Sequence, residues 1–88
     1  MQKYFVEFIC TLFFVYIILA TGNPLAIGGA LAIILIVSSK YQGGYLNPAV
    51  AITMSSANKI PSTDLIFFIL AEVFGALFAL EIYKRYKI

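Results

Sequence analysis

Two glutamates, Glu7 and Glu72, stand inside long apolar runs, and one stretch, GGYLNPAV from Gly43 to Val50, separates such runs with two glycines and an Asn-Pro pair. An ionisable side chain within a membrane-length apolar segment is costly to bury and is a functional-site candidate by default. The rest of the inventory mainly excludes. Histidine is absent and Cys10 is the single cysteine, so neither a disulfide framework nor a zinc cluster can be assembled. No nucleophile is paired with a base, and neither an enzyme nor a cofactor site is expected. The chemistry left to these residues is hydrogen bonding. A carboxylate can accept from backbone N–H groups, and an asparagine at a helix start can offer its amide to a passing polar molecule.

The elements that hold these groups are read from composition. Of 88 residues, 62% are hydrophobic and 11% charged, whereas about a quarter of a soluble domain is charged. Lipid is the natural solvent for such a chain. The net charge of +2 is small, and the basic residues form no patch with exposed aromatics of the kind that binds nucleic acid. The length allows one domain, 1–88. Three apolar runs, about 4–21, 24–39 and 63–84, each approach the ~20 residues that cross a bilayer, so a multi-pass integral membrane protein is expected. Lys3 ahead of an apolar run has the outline of a signal peptide, but Glu7 within the run and its length speak against that.

The segment ends agree with this division. Asn23 is suited to cap the second helix, with Pro24 at its first position, where the missing N–H costs nothing. Ser62 can cap the third run, Asp64 complements its first turn, and Lys84, Arg85 and Lys87 suit its end. Small residues recur at four-residue spacing, Gly28 with Ala32 and then Ala71, Gly75 and Ala79, which lets membrane helices pack closely. Asn-Pro occurs a second time at Asn47–Pro48. The helix it can start is about ten residues, or roughly 15 Å, about half the ~30 Å hydrocarbon core. A segment over about 43–57 that dips in and returns would bring irregular backbone to membrane depth. That is tolerated only where protein buries it or a water-filled path solvates it, so a re-entrant half-helix implies a pore or a binding site.

GGYLNPAV resembles the Asn-Pro-Ala segment of the aquaporins, the major intrinsic protein family. EFICT, from Glu7 to Thr11, is similar to the Glu-x-x-x-Thr opening of the family's first and fourth helices. LAIGGALA, 25–32, resembles its second and fifth, and AEVFGALFA, 71–79, its third, where the family usually has Gln in place of Glu72. These landmarks stand in family order at family spacing and cover nearly the whole chain. The resemblance implies an all-α membrane fold, half of an aquaporin, with three transmembrane helices and one re-entrant half-helix. Family members contain two such halves in inverted orientation. This sequence, from Met1 to its basic tail, reads as one half and as a complete small protein.

The resemblance also assigns residues. Asn47, Pro48 and Ala49 become the central pore motif, and the carbonyls of Gly43, Gly44, Tyr45 and Leu46 line the path. Glu7 accepts from N–H groups of the re-entrant loop, and Glu72 is expected to do likewise. Ile27, Leu35, Gly44 and Val50 take the selectivity constriction. The family places an Arg directly after one Asn-Pro-Ala; here that residue is Val50, which removes a cation barrier. Water, glycerol, urea, ammonia and dissolved gases are all candidate permeants.

Three crossings put the termini on opposite sides. Lys3, Lys40 and Lys59 then face Lys84, Arg85 and Lys87 across the membrane, a balance under which the positive-inside rule selects no orientation. Both orientations can coexist, and an antiparallel pair would rebuild the inverted repeat. The expected function is a passive channel for water or small neutral solutes. Its expected partners are the bilayer and an inverted copy of the chain, with four such pairs, eight chains, by resemblance. Two half-helix N-termini meeting end to end, each with free N–H groups and about half a positive charge, would disfavour cations in mid-pore. Two alternatives stand beside it: a half-subunit that needs a different partner chain, and a dual-topology proton-coupled exporter using Glu7.

Overall fold

The structure, a computed structural model, describes residues 2–41 and 43–86. Four helices follow in order: α1 (Gln2–Thr21), α2 (Pro24–Ser38), α3 (Pro48–Ser56) and α4 (Ser62–Arg85), with a 3₁₀ turn at Ser39–Tyr41 extending α2. Three of these segments are long and apolar enough to cross a membrane, at 20, 18 and 24 residues. α3, at 9 residues, is not, because it rises only about 13–14 Å.

Local chemistry sets the boundaries. Gly22 ends α1 in the left-handed region (φ 56°), its N–H donating to the Ile18 carbonyl at 3.0 Å, a C-terminal cap that glycine makes at little steric cost. Asn23 caps α2 as expected, its Oδ1 accepting from Leu25 N–H at 2.8 Å and Ala26 N–H at 3.1 Å. α3 closes in a Schellman motif. The Lys59 N–H donates to the Met54 carbonyl at 2.8 Å and the Asn58 N–H to that of Ser55 at 3.0 Å, with Asn58 left-handed at φ 63°, a conformation Asn tolerates. The start of α4 corrects one expectation. Pro61, not Ser62, is the N-cap, and no side chain caps this end. Ser62 is already helical, so its hydroxyl cannot reach the N–H groups a cap serves. Asp64 lies in the first turn as expected and is also bound laterally: Lys3 Nζ donates to it at 2.7 Å and Tyr4 Oη at 2.8 Å.

α1 and α4 run parallel. Tyr4 meets Phe68 edge to face at 5.1 Å between ring centroids, Phe8 meets Phe78 likewise at 5.3 Å, and Thr11 lies against Gly75. At Gly75 a Cβ would stand 2.6 Å from the Phe8 carbonyl oxygen, so the absent side chain is what lets the two helices close together. Ala79 is also buried, and Ala71 is half-buried. The small pair on α2 departs from expectation. Gly28 and Ala32 are exposed, and a Cβ at Gly28 would meet nothing within 4 Å. α2 packs on α1 alone among the described helices, through its opposite face, where Ala30 and Ile34 are buried; the Gly28–Ala32 face therefore has no neighbour among the described residues.

Burial is inverted relative to a water-soluble domain. The fully buried large side chains are Phe68, Glu7, Glu72, Thr11 and Ser38, while Leu25 and Ile36 are 87% and 71% exposed. Such a molecule keeps polar groups inside and meets lipid outside. Lys3, Lys40 and Lys59 fall at one end of the bundle and Lys84 and Arg85 at the other, since Lys59 and Lys3 border one cavity and Tyr41 lies beside Gln2. Lys87 lies outside the described residues.

Candidate functional site

The re-entrant segment is built from backbone first. Gly44 (φ 90°) and Leu46 (φ 62°) are left-handed, and Tyr45 between them is not. This alternation turns successive N–H groups to one side and makes a concave nest for an anion. The anion is Glu7. Its Oε1 accepts from Gly44 N–H at 2.7 Å and Tyr45 N–H at 3.4 Å, and its Oε2 from Leu46 N–H at 2.6 Å. Glu7 is wholly buried, yet its charge is met by three donors.

That arrangement accounts for Leu46. A bulky residue in the left-handed region stores about 1–3 kcal/mol of strain. Hydrogen bonds to a charged group contribute about 1.5–3 kcal/mol each, so the two short bonds alone outweigh it. Leu46 is 8% exposed and keeps its side chain inside. Gly44 is required twice over: by its φ, and because a Cβ there would lie 2.4 Å from Ser38 Oγ and 3.3 Å from Leu35 Cδ2. A Cβ at Gly43 would press on Glu7 Oε1 at 3.1 Å.

Asn47 follows directly. Its backbone is extended (φ −149°) and its Oδ1 caps α3, accepting from Ala49 N–H at 2.7 Å; Pro48 holds the first helical position. Asn47 is exposed, and among the described residues its amide Nδ2 makes no hydrogen bond. The carbonyls of Gly43, Gly44, Tyr45 and Leu46 likewise accept none there. α3 then returns, its Ala51 buried with Ile60 and Phe68 and flanked by Tyr45 and Met54. The chain thus enters beside Tyr41, turns at Asn47 and leaves at Lys59, on the side from which it came.

The constriction positions are placed unequally. Leu35, 47% exposed, touches the Gly44 position. Val50 is 41% exposed on α3. Ile27 is half-buried two turns away along α2, about 12 Å, so one chain does not bring it to Leu35. For Glu72 the expectation of a bond to the loop is not met. It is buried, but neither carboxyl oxygen has a partner among the described residues. The loop N–H groups at 44–46 are already taken by Glu7, and Glu72 is buried where α4 packs on α1. Ser38, buried beside Gly44, has no partner for its hydroxyl among the described residues; the sequence offered only its place as the first polar residue after an apolar run.

Comparison with known proteins gives the family of the chain. The family model described as Major intrinsic protein matches residues 21–87. The chain is 34% identical to "Glycerol uptake facilitator protein-like 6" of Lactiplantibacillus plantarum over 98% of this chain and 44% of that protein. It is 43% identical to "Aquaglyceroporin-2" of Rhizophagus irregularis over 76% of this chain and 23% of that protein. The chain therefore spans less than half the length of the curated relatives it matches. No solved structure matches. With its half-aquaporin fold, its clamped Asn-Pro-Ala loop and this match, the chain belongs to the major intrinsic protein (aquaporin) family of integral membrane proteins.

Proposed function

We propose that the chain is one half of a passive channel for water or small neutral solutes, and that an inverted second copy completes it. The observation that carries this reading is the one-sided exposure of the Asn47 turn. The loop N–H groups point inward to Glu7, while the Asn47 amide and four successive carbonyls have no partner among the described residues. In lipid such groups cost several kcal/mol each; a polar path shared with a second chain would satisfy them. The bare Gly28–Ala32 face of α2 offers a surface for close helix packing. The division of Lys and Arg between the two ends leaves both orientations open.

Permeants would exchange hydrogen bonds stepwise, donating to the carbonyls of 43–46 and accepting from Asn47. The N-terminus of α3 adds a partial positive charge that disfavours cations there. Leu35 and Val50 supply apolar walls, and both named relatives are glycerol-type proteins; glycerol is accordingly the solute to test beside water. Of the alternatives, the exporter finds least support. Glu7 is fully buried and committed to three N–H donors, which leaves it no face toward a cargo.

The test is stopped-flow light scattering of liposomes holding only this chain, under an osmotic gradient, for water and then glycerol. Fast shrinkage with a low activation energy, lost in Asn47→Asp, is expected. Permeability no higher than that of protein-free vesicles, with insertion verified, would mean that a different chain must supply the other half.

A further inference from the structure

Glu72 is the one buried acid that the pore geometry leaves unused. It is 1% exposed, and both of its oxygens lack a partner among the described residues. An unpaired ionised carboxyl in that position is strongly disfavoured. The helix register shows what faces it. Tyr4 packs on Phe68 and Thr11 on Gly75 at the same offset along the chain, which sets Glu7 level with Ala71 and Glu72 across the α1–α4 interface. Both side chains are buried on their helices, Glu7 at 0% and Glu72 at 1% exposure, so the two carboxyl groups face each other across that interface.

No cation relieves the pair. On α1, Lys3 is bound to Asp64 at the end of the bundle, and Tyr4 donates to the same carboxylate; Cys10 is the next titratable group. α2 and α3 carry no titratable residue. From the loop, Tyr45 packs edge-on to Phe68. On α4 itself, Asp64 and Glu81 lie at least two turns away. Glu7 must accept from all three loop N–H groups, so it is the ionised member. Its neighbour can then be satisfied in one way, as a donor.

Resting on the channel reading above, we propose that Glu72 is a neutral carboxylic acid whose O–H donates to the Glu7 carboxylate, and that this shared proton makes it a positioning residue for the pore loop. Glu7 is then held from two sides, by N–H groups of the loop and by the acid of α4. Thr11, one turn along the same face of α1, is likewise buried, with no partner for its hydroxyl among the described residues. The proton belongs to the pair. Removal of that proton sets two buried anions side by side, loosens Glu7 and frees the loop. The pore is therefore expected to close at alkaline pH.

Infrared spectroscopy of the reconstituted chain tests this. A protonated-carboxyl C=O stretch, shifted in D₂O, is expected at neutral pH; it disappears on alkaline titration and is absent in Glu72→Gln. Stopped-flow water permeability, read on the same vesicles, is expected to fall to the protein-free level as the band is lost. In Glu72→Gln, whose amide N–H₂ still donates to Glu7 but cannot titrate, permeability no longer depends on pH over that range. No acid band in the wild-type chain at neutral pH, or a band that survives in Glu72→Gln, overturns the proposal. So does an alkaline loss of permeability that persists in that variant. The infrared band is read whether or not the vesicles conduct, so failure of the channel reading is distinguished from failure of the shared proton. Titration of the wild-type band needs no variant to fold.

Discussion

The chain contains the same dipeptide twice, and only one copy makes a site. At Asn23–Pro24 and at Asn47–Pro48 an extended asparagine caps a helix with its side-chain oxygen, and proline occupies the first turn. The difference lies in what comes before. Gly22 precedes Asn23 in open space and simply ends α1. Gly43 to Leu46 precede Asn47 in a left-handed, alternating path pinned to a buried carboxylate. Asn-Pro is thus a generic helix start; the buried anion behind it converts the start into a fixed, solvent-directed polar edge.

That contrast can be broken most severely at Glu7. Glu7→Gln replaces a two-oxygen acceptor by one with a single oxygen and leaves loop N–H groups unmet. Osmotic permeability is expected at the protein-free level, with a loss of several kcal/mol in detergent unfolding. The counterpart at the other copy, Thr21→Ala, removes a 3.1 Å acceptor for the Asn23 N–H that is exposed and replaceable by solvent; permeability is expected to hold. Gly44→Ala should rank next. It adds about 1–2 kcal/mol of left-handed backbone cost to a collision with Ser38, whereas Gly22→Ala carries the backbone cost alone and leaves the channel intact. Thermal melting and shrinkage rates of the two variants check this.

The sharpest comparison is smaller in energy. Asn23→Ala and Asn47→Ala each remove a cap at about 1 kcal/mol, so their melting temperatures should fall alike. Only Asn47→Ala is expected to lose permeability. Equal losses in both would mean that capping, not the free amide, is what the pore needs. Smallest of all is Ser62→Ala, expected within about 0.5 kcal/mol of wild type, since that hydroxyl caps nothing.

The sequence and the structure part company in physically sensible places. Apolar runs, Pro24, Pro48 and the asparagine caps are local signals, and α1, α2 and α3 start or end within two residues of where those signals put them. The loop clamp was reachable through family resemblance because EFICT carries Glu7. The left-handed Leu46 was not, since nothing in a leucine announces a conformation it disfavours; tertiary hydrogen bonds impose it. Glu72, expected on the loop, is instead buried in the α1–α4 interface with no partner among the described residues. The pairing of Asp64 with Lys3 and Tyr4 was missed. Both errors have one source. The register between α1 and α4 is fixed by close packing at Gly75, and periodicity along either helix alone does not report it. Gly28 and Ala32 have the spacing of a packing motif, yet their face is exposed and meets no other described helix.

Inverted pairing is the central claim, and orientation in the membranes of producing cells tests it most directly. Ala57→Cys in a Cys10→Ser chain leaves the charge balance untouched and puts a thiol at the exposed turn after α3. Sealed vesicles would be treated with a membrane-impermeant thiol reagent, before and after permeabilisation. The account predicts that about half of the chains react from outside and the rest only after permeabilisation, as expected where basic residues select no orientation. Reaction of all chains, or of none, in vesicles whose water permeability this protein alone has raised would contradict it.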